Sequence, residues 1–156
     1  GQLRNLRVLK LDHCESLTSL PPEIRNLPSL EYVELSPGIN IVEFIEQGGM
    51  EGWTSLRMLC LSMNECSPRL SKNEYLRIFY HLPSWLVDLQ LYDDIDSIGL
   101  LSRVELPPRL RVVGLGLYRR ILKSSSESDK QSLVDLLKRN RYLGFIYSEF
   151  HKKKLY

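Results

Sequence analysis

The sequence predicts an α/β solenoid with a short parallel concave sheet of five to six strands, convex loops and short helices. A helix-plus-strand cap is expected at its C-terminal end. Three observations predict this class: an apolar frame that recurs along the chain, alternation of side chains within each copy, and two helix-capping signals. The chain has 156 residues, of which 43% are hydrophobic, which suffices for one domain with its own core.

In the recurring frame, apolar residues stand at positions 1, 4 and 6, and a small or polar residue stands at position 9. Its copies are Leu6-Leu9-Leu11-Cys14, Leu30-Val33-Leu35-Gly38, Leu56-Leu59-Leu61-Asn64, Leu86-Leu89-Leu91-Asp94, Leu110-Val113-Leu115-Tyr118 and Leu143-Ile146-Ser148-His151. One unit cannot bury its own leucines, so neighbouring units must stack. We therefore expect Leu9, Val33, Leu59, Leu89 and Val113 to lie side by side on successive parallel strands.

The first unit, LRVLKLDHCESLTSLPPEIRNLPSL, is the fullest copy of the frame. These residues resemble the leucine-rich repeat superfamily, and the likeness covers essentially the whole chain. Uneven spacing, the "SLPPEI" phrasing and the absence of glycosylation sequons make it most similar to the C-terminal repeat region of plant intracellular immune receptors. The resemblance implies about five repeats over residues 1–118 and a cap over residues 119–156. In this reading Cys14, at the end of the first frame, is a buried structural thiol.

Two segments carry helix signals. Ser71 and Glu74 have the spacing of a capping box, Leu76 and Phe79 follow on one face, and Pro83 ends the run. A second helix is predicted near 128–140, where Leu133, Leu136 and Leu137 form an apolar stripe. Residues 143–150 then predict a last strand, and the triplet Ser124–Ser126 a polar hinge or, alternatively, a phosphorylation site.

Charge is distributed unevenly along the chain. Residues 1–118 hold 11 Lys and Arg against 15 Asp and Glu, whereas residues 119–156 hold 10 against 4. The basic end includes Arg119, Arg120 and the run Lys152–Lys154. It predicts a solvated cap and tail, with contact to nucleic acid or acidic lipid as the alternative.

The cysteine and sequon content bears on the compartment. Cys14, Cys60 and Cys66 cannot form a closed disulfide framework, and no glycosylation sequon or apolar run of membrane-spanning length occurs. These features predict a cytoplasmic protein, with the nucleus as an alternative. Because Leu3 and Leu6 begin in mid-pattern, we expect this end to contact an adjoining domain or a second copy.

No residue pattern indicates catalysis. His13, His81 and His151 have no partner at the spacing of a nucleophile or zinc site. The turn Asp93–Asp96 lacks the glycine and distant Glu of a calcium loop, and Gly114-Leu115-Gly116 lacks the third glycine of a dinucleotide loop. We therefore expect no enzyme activity, no cofactor and no metal.

Side chains at the alternate strand positions have no core to fill. They are predicted to form a grid on the concave face, with Gly114 and Gly116 leaving a shallow depression that suits an inserted side chain. Aromatic residues in such a grid favour binding, although packing between neighbouring strands is an alternative reason for them. The candidate partner-binding residues are Tyr32, Glu34, Met58, Asp88, Gln90, Tyr92, Phe145 and Tyr147.

The pattern therefore predicts a non-catalytic module that recognises a protein partner through the concave face. The resemblance to plant immune receptors implies the ligand-sensing end of such a receptor. The alternatives are a scaffold or substrate-docking adaptor, for example of a ubiquitin ligase, and a nucleic-acid or acidic-lipid contact through the basic C-terminal end.

Overall fold

The chain forms one all-parallel sheet whose strands follow one another in sequence order. A computed structural model describes residues 3–14, 16–36, 38–62, 70–92, 100, 103–115, 127–140 and 142–147. The strands are β1 (Val8–Lys10), β2 (Tyr32–Leu35), β3 (Met58–Ser62), β4 (Asp88–Tyr92), β5 (Val112–Leu115) and β6 (Gly144–Tyr147). Parallel neighbours require a crossover between them, and here each crossover is the remainder of one sequence unit.

The register confirms the alignment expected from the frame. Leu9 pairs with Val33, Val33 with Leu59, Leu59 with Leu89, and Leu89 with Val113. Val33, Leu59, Leu89 and Val113 are each 0% exposed, because they face the hydrophobic cluster beneath the sheet. The repeated leucines thus form one column inside the molecule.

The frame predicted for the last unit is wrong by one residue. Phe145, rather than Ile146, pairs with Val113, and Tyr147 pairs with Leu115. Leu143 still takes the place of Leu110, because its amide closes the same tight turn, donating to Asn140 O at 2.9 Å. Only one residue then separates Leu143 from the column position, where the earlier units have two, and such a slip exchanges the two faces of a strand.

The crossovers carry short helices. A 3-10 helix occupies Pro22–Asn26, and the α-helices among the described residues are α1 (Ile41–Glu46), α2 (Lys72–Tyr80) and α3 (Glu127–Arg139). The capping box predicted at α2 is confirmed. The Ser71 side chain accepts from the Glu74 amide, and the Glu74 carboxylate accepts from the Ser71 amide at 2.7 Å.

The stripe predicted on α3 is met only in part, since Leu136 is fully buried whereas Leu137 is 37% exposed. Helix α1 was not predicted. Its signal is Asn40 followed three residues later by Glu43, whose amide donates to the Asn40 side chain.

The core lies between the column and the helices. Phe44 of α1 and Phe79 of α2 pack in the same cluster as Leu59 and Leu89. Trp53 ties two units together, because its indole donates to Ile24 O at 2.7 Å while its ring lies 5.4 Å from that of Phe44. Among the described helices, none combines the length and the apolar character that a membrane crossing requires.

Candidate interaction face of the sheet

One face of the sheet is turned away from the column, and we call it the open face. It carries Val8, Lys10, Tyr32, Glu34, Met58, Cys60, Asp88, Gln90, Val112 and Gly114, which alternate with the column residues along β1 to β5. The register aligns them in two rows, Val8 to Val112 and Lys10 to Gly114. Five of the predicted binding residues therefore share one surface: Tyr32, Glu34, Met58, Asp88 and Gln90.

The first half of the open face is a polar network around Tyr32. The Tyr32 hydroxyl donates to the Glu34 carboxylate at 2.8 Å, and the Lys10 ammonium lies 5.1 Å from the centre of the Tyr32 ring. The ring is thus held between a cation above its face and an acceptor at its tip. Tyr32 is half-buried, so part of its side chain packs against its neighbours and part is accessible at the open face.

The second half of the open face centres on Asp88. Its strand neighbours in the same row are Met58 and Val112, so apolar side chains flank the carboxylate on both sides. Burial raises the pKa of Asp88, and a hydrogen bond from the Gln90 amide, 2.5 Å from Asp88 Oδ1, partly offsets that rise. Among the described residues, no cationic side chain forms an ion pair with Asp88. The site is therefore a half-buried carboxylate that a cation would stabilise.

The depression predicted at the glycines is absent at Gly114. A Cβ atom built there would lie 1.6 Å from Gln90 Oε1, so the Gln90 side chain fills the space over this glycine. Gln90 turns toward Gly114 because only a residue without a side chain leaves that room. Cys60, in the same row, is only 2% exposed. The middle of the open face is thus closed and level, and the Cys60 thiol is not presented at its surface.

Three predicted binding residues have side chains that fall outside the described residues. Phe145 and Tyr147 pair in register with Val113 and Leu115, where the frame placed Ile146 and Ser148 at the corresponding positions. The physical reason is the missing residue after Leu143, which shifts the strand by one. Tyr92 lies at the end of β4 opposite Ser62, and its side chain falls outside the described residues. Gly116, Asp93–Asp96, Ser124–Ser126 and Lys152–Lys154 fall outside them as well.

The remaining chemistry-bearing groups are dispersed. Within the described part of the chain, no three His, Cys, Asp or Glu side chains converge as a metal site would require. Cys14 and Cys60 are free thiols, and Cys14 is half-buried rather than buried as predicted, because β1 has a neighbouring strand on one side only among the described residues. A groove that the sequence did not predict lies at the edge of the sheet where the strands begin, and its lining includes Arg57, Trp85 and Arg109. Their signal is their position in the turn before each strand.

Comparison of the chain with protein-family models, with curated proteins and with solved structures gives no match.

Proposed function

We propose that the chain is a leucine-rich-repeat solenoid of the irregular intracellular type that acts as a non-catalytic recognition module. A protein partner binds to its open face, and the module works in the cytoplasm. The proposal rests on the sequence resemblance. It is supported by strands that follow sequence order and by the column of Leu9, Val33, Leu59, Leu89 and Val113.

The observation that carries the binding proposal is the environment of Asp88. A carboxylate flanked by Met58 and Val112, with Gln90 as its donor, is poorly solvated and gains from a partner that supplies positive charge. We infer that the partner places a Lys or Arg side chain over Asp88 while its apolar atoms cover Met58 and Val112.

Preorganisation supports the same surface. Tyr32, Glu34 and Gln90 are already held by side-chain hydrogen bonds, so binding immobilises few of them further. Because lost side-chain freedom opposes association, a pre-ordered face binds more tightly than a loose one of equal area. Tyr32 also supplies the large rigid contact typical of binding hot spots.

The likeness to plant intracellular immune receptors extends the proposal to a sensing role. In such a receptor the open face would contact a pathogen protein or a neighbouring domain of the same chain.

The test is affinity capture from a cell lysate with three immobilised baits. The first is the wild-type chain, the second carries Tyr32→Ala and Asp88→Ala, and the third carries Lys72→Ala and Glu23→Ala on exposed positions away from the sheet. We expect a protein held by the wild type and by the third bait but lost from the second, while circular dichroism shows that all three baits are folded. Capture that is unchanged by the open-face substitutions would refute the proposal.

A further inference from the structure

A groove of about 350 Å³ lies at the edge of the sheet where the strands begin. It spans four successive units, since its lining residues precede β2, β3, β4 and β5. The residues that matter here are Glu31, Ser55, Arg57, Trp85, Val87 and Arg109. This groove is separate from the open face, because none of its lining residues belongs to that face.

The residues directly before the strands form a ladder along this edge. They are Arg7, Glu31, Arg57, Val87 and Arg111. The carbonyl of each of the first four accepts two amide protons from the next unit, as Arg57 O does from Val87 N at 3.0 Å and from Asp88 N at 2.8 Å. Successive rungs are therefore about one strand spacing, roughly 4.8 Å, apart. The side-chain charges along the ladder therefore alternate from positive to negative to positive over the first three residues, and are neutral at Val87 and positive at Arg111.

The first two rungs show how this edge holds a carboxylate. Arg7 donates from Nε and Nη2 to the two oxygens of Glu31, both at 2.9 Å. The hydrogen bond from Arg7 is the main reason that the pKa of Glu31 is lowered, and Arg57 contributes from the other side. Arg7 therefore already balances the charge of Glu31, and Arg57 is a further positive charge beside this pair. A planar guanidinium fork matches a carboxylate in this way better than an ammonium does.

The pattern breaks at the fourth rung, where Val87 stands in place of an acid. Arg57 acts on Glu31 through charge at a distance, and among the described residues neither Arg57 nor Arg109 donates a side-chain hydrogen bond to a carboxylate. Arg57 and Arg109 line the same groove, together with Ser55. The groove therefore presents hydrogen-bond donors and an excess of positive charge beside an apolar floor.

We propose that the groove binds an acidic side chain of a protein partner, whose carboxylate lies above Val87 and is held by Arg57 and Arg109. The guest carboxylate supplies the acid that the ladder lacks at Val87, and Arg109 is its second partner because Arg109 lines the groove whereas Arg111 does not. Trp85 forms a firm wall for it, because the indole donates to Trp53 O at 3.0 Å and is half-buried. This site lies outside the open face, so it goes beyond the function proposed above.

The probe is a capped pentapeptide, acetyl-Ser-Glu-Asp-Glu-Ser-amide, titrated into the ¹⁵N-labelled chain and followed by NMR. We expect the amide signals of Arg57, Val87 and Arg109 to shift, and added salt to weaken the binding because the charges are partly exposed. Arg57→Gln with Arg109→Gln should weaken the affinity about tenfold. The control, Lys72→Gln with Arg103→Gln, removes the same charge outside the groove and should leave the affinity unchanged.

A second pair of variants tests the position of Val87, where the ladder lacks an acid. Val87→Glu supplies the missing acid within the chain and should abolish peptide binding, whereas Val87→Gln, of nearly the same shape, should retain it. Equal binding of the neutral counterpart acetyl-Ser-Gln-Asn-Gln-Ser-amide would overturn the proposal. Equal losses in the groove and control variants would overturn it too. Tighter binding of inorganic phosphate would overturn the assignment to a carboxylate. Unaltered binding by the Tyr32→Ala and Asp88→Ala variant separates this site from the open face.

Discussion

The first and third units of the chain follow the same frame but bury it to different extents. Leu59 and Leu61 in the third unit are fully covered, whereas Leu9 and Leu11 in the first are only partly buried. The third unit lies between β2 and β4, while β1 has β2 as its one neighbour among the described strands. The difference teaches that burial is conferred by the neighbouring units, and that the apolar frame only makes a unit fit to receive it.

The same contrast holds for the surfaces that we propose to bind. Val8 of the first unit is 51% exposed, while Met58 and Asp88 in the central units are half-buried between strand neighbours. A binding surface needs side chains held in place on both sides, and β2 to β5 each have a neighbouring strand on both sides. We therefore expect the partner contacts to concentrate on β2 to β5.

The largest effect is expected from one core substitution made in both units. Leu59→Ala leaves a cavity in the middle of the column, where the surroundings cannot collapse, and should lower the free energy of unfolding by about 2–5 kcal/mol. Leu9→Ala removes a partly exposed side chain and should cost only about 1 kcal/mol. Urea denaturation of both variants measures this difference. Equal losses would show that the first unit is buried as deeply as the third.

A smaller effect is expected at the helix that covers the third unit. Ser71→Ala removes the side-chain acceptor at the start of α2 and should lower the free energy of unfolding by about 1 kcal/mol. Ser84→Ala, in the exposed turn before β4, is the matched control and should have little effect. If the two variants unfold at the same urea concentration, α2 does not contribute to covering the column in the way described.

How far the sequence predicts the structure depends on the range of the interactions. The alternation at Leu59 and Leu61 and the capping box at Ser71 are local patterns, so both were predicted. The last strand was placed one residue off because Phe145, Ile146 and Tyr147 are all apolar or aromatic, so that no alternation marks its faces.

The candidate sites were harder to predict than the strands. The side chain of Gln90 covers Gly114, which lies 24 residues later in the next unit. The absence of an acid at Val87 matters because Arg57, 30 residues earlier, lies beside it. Such contacts require the register, which the sequence supplied for β1 to β5, and also the side-chain conformations, which it did not.

The smallest expected effect concerns the charge on the open face. Because burial raises the pKa of Asp88, the folded chain holds this proton more firmly than the unfolded chain. The associated stability is present below the unfolded pKa and is lost as the pH rises through the folded one. Asp88→Asn keeps the acceptor for Gln90 but does not ionise. We expect the melting temperature of the variant to rise relative to that of the wild type as the pH is increased from about 3 to about 7.

The matched variant for this prediction is Glu34→Gln, which removes an acid from the same face at a residue that does not sit between Met58 and Val112. We expect its melting temperature relative to the wild type to change less with pH. A Glu34→Gln variant that gains as much as Asp88→Asn would show that the whole face, rather than the flanked carboxylate, sets the pH dependence.

The most direct test of the account is an NMR measurement of nuclear Overhauser contacts between backbone protons of adjacent strands. We predict contacts in parallel register between the successive residues Leu9, Val33, Leu59, Leu89, Val113 and Phe145. Antiparallel contacts, or a register in which Leu59 and Leu89 are not partners, would contradict the shared column on which both proposed surfaces depend.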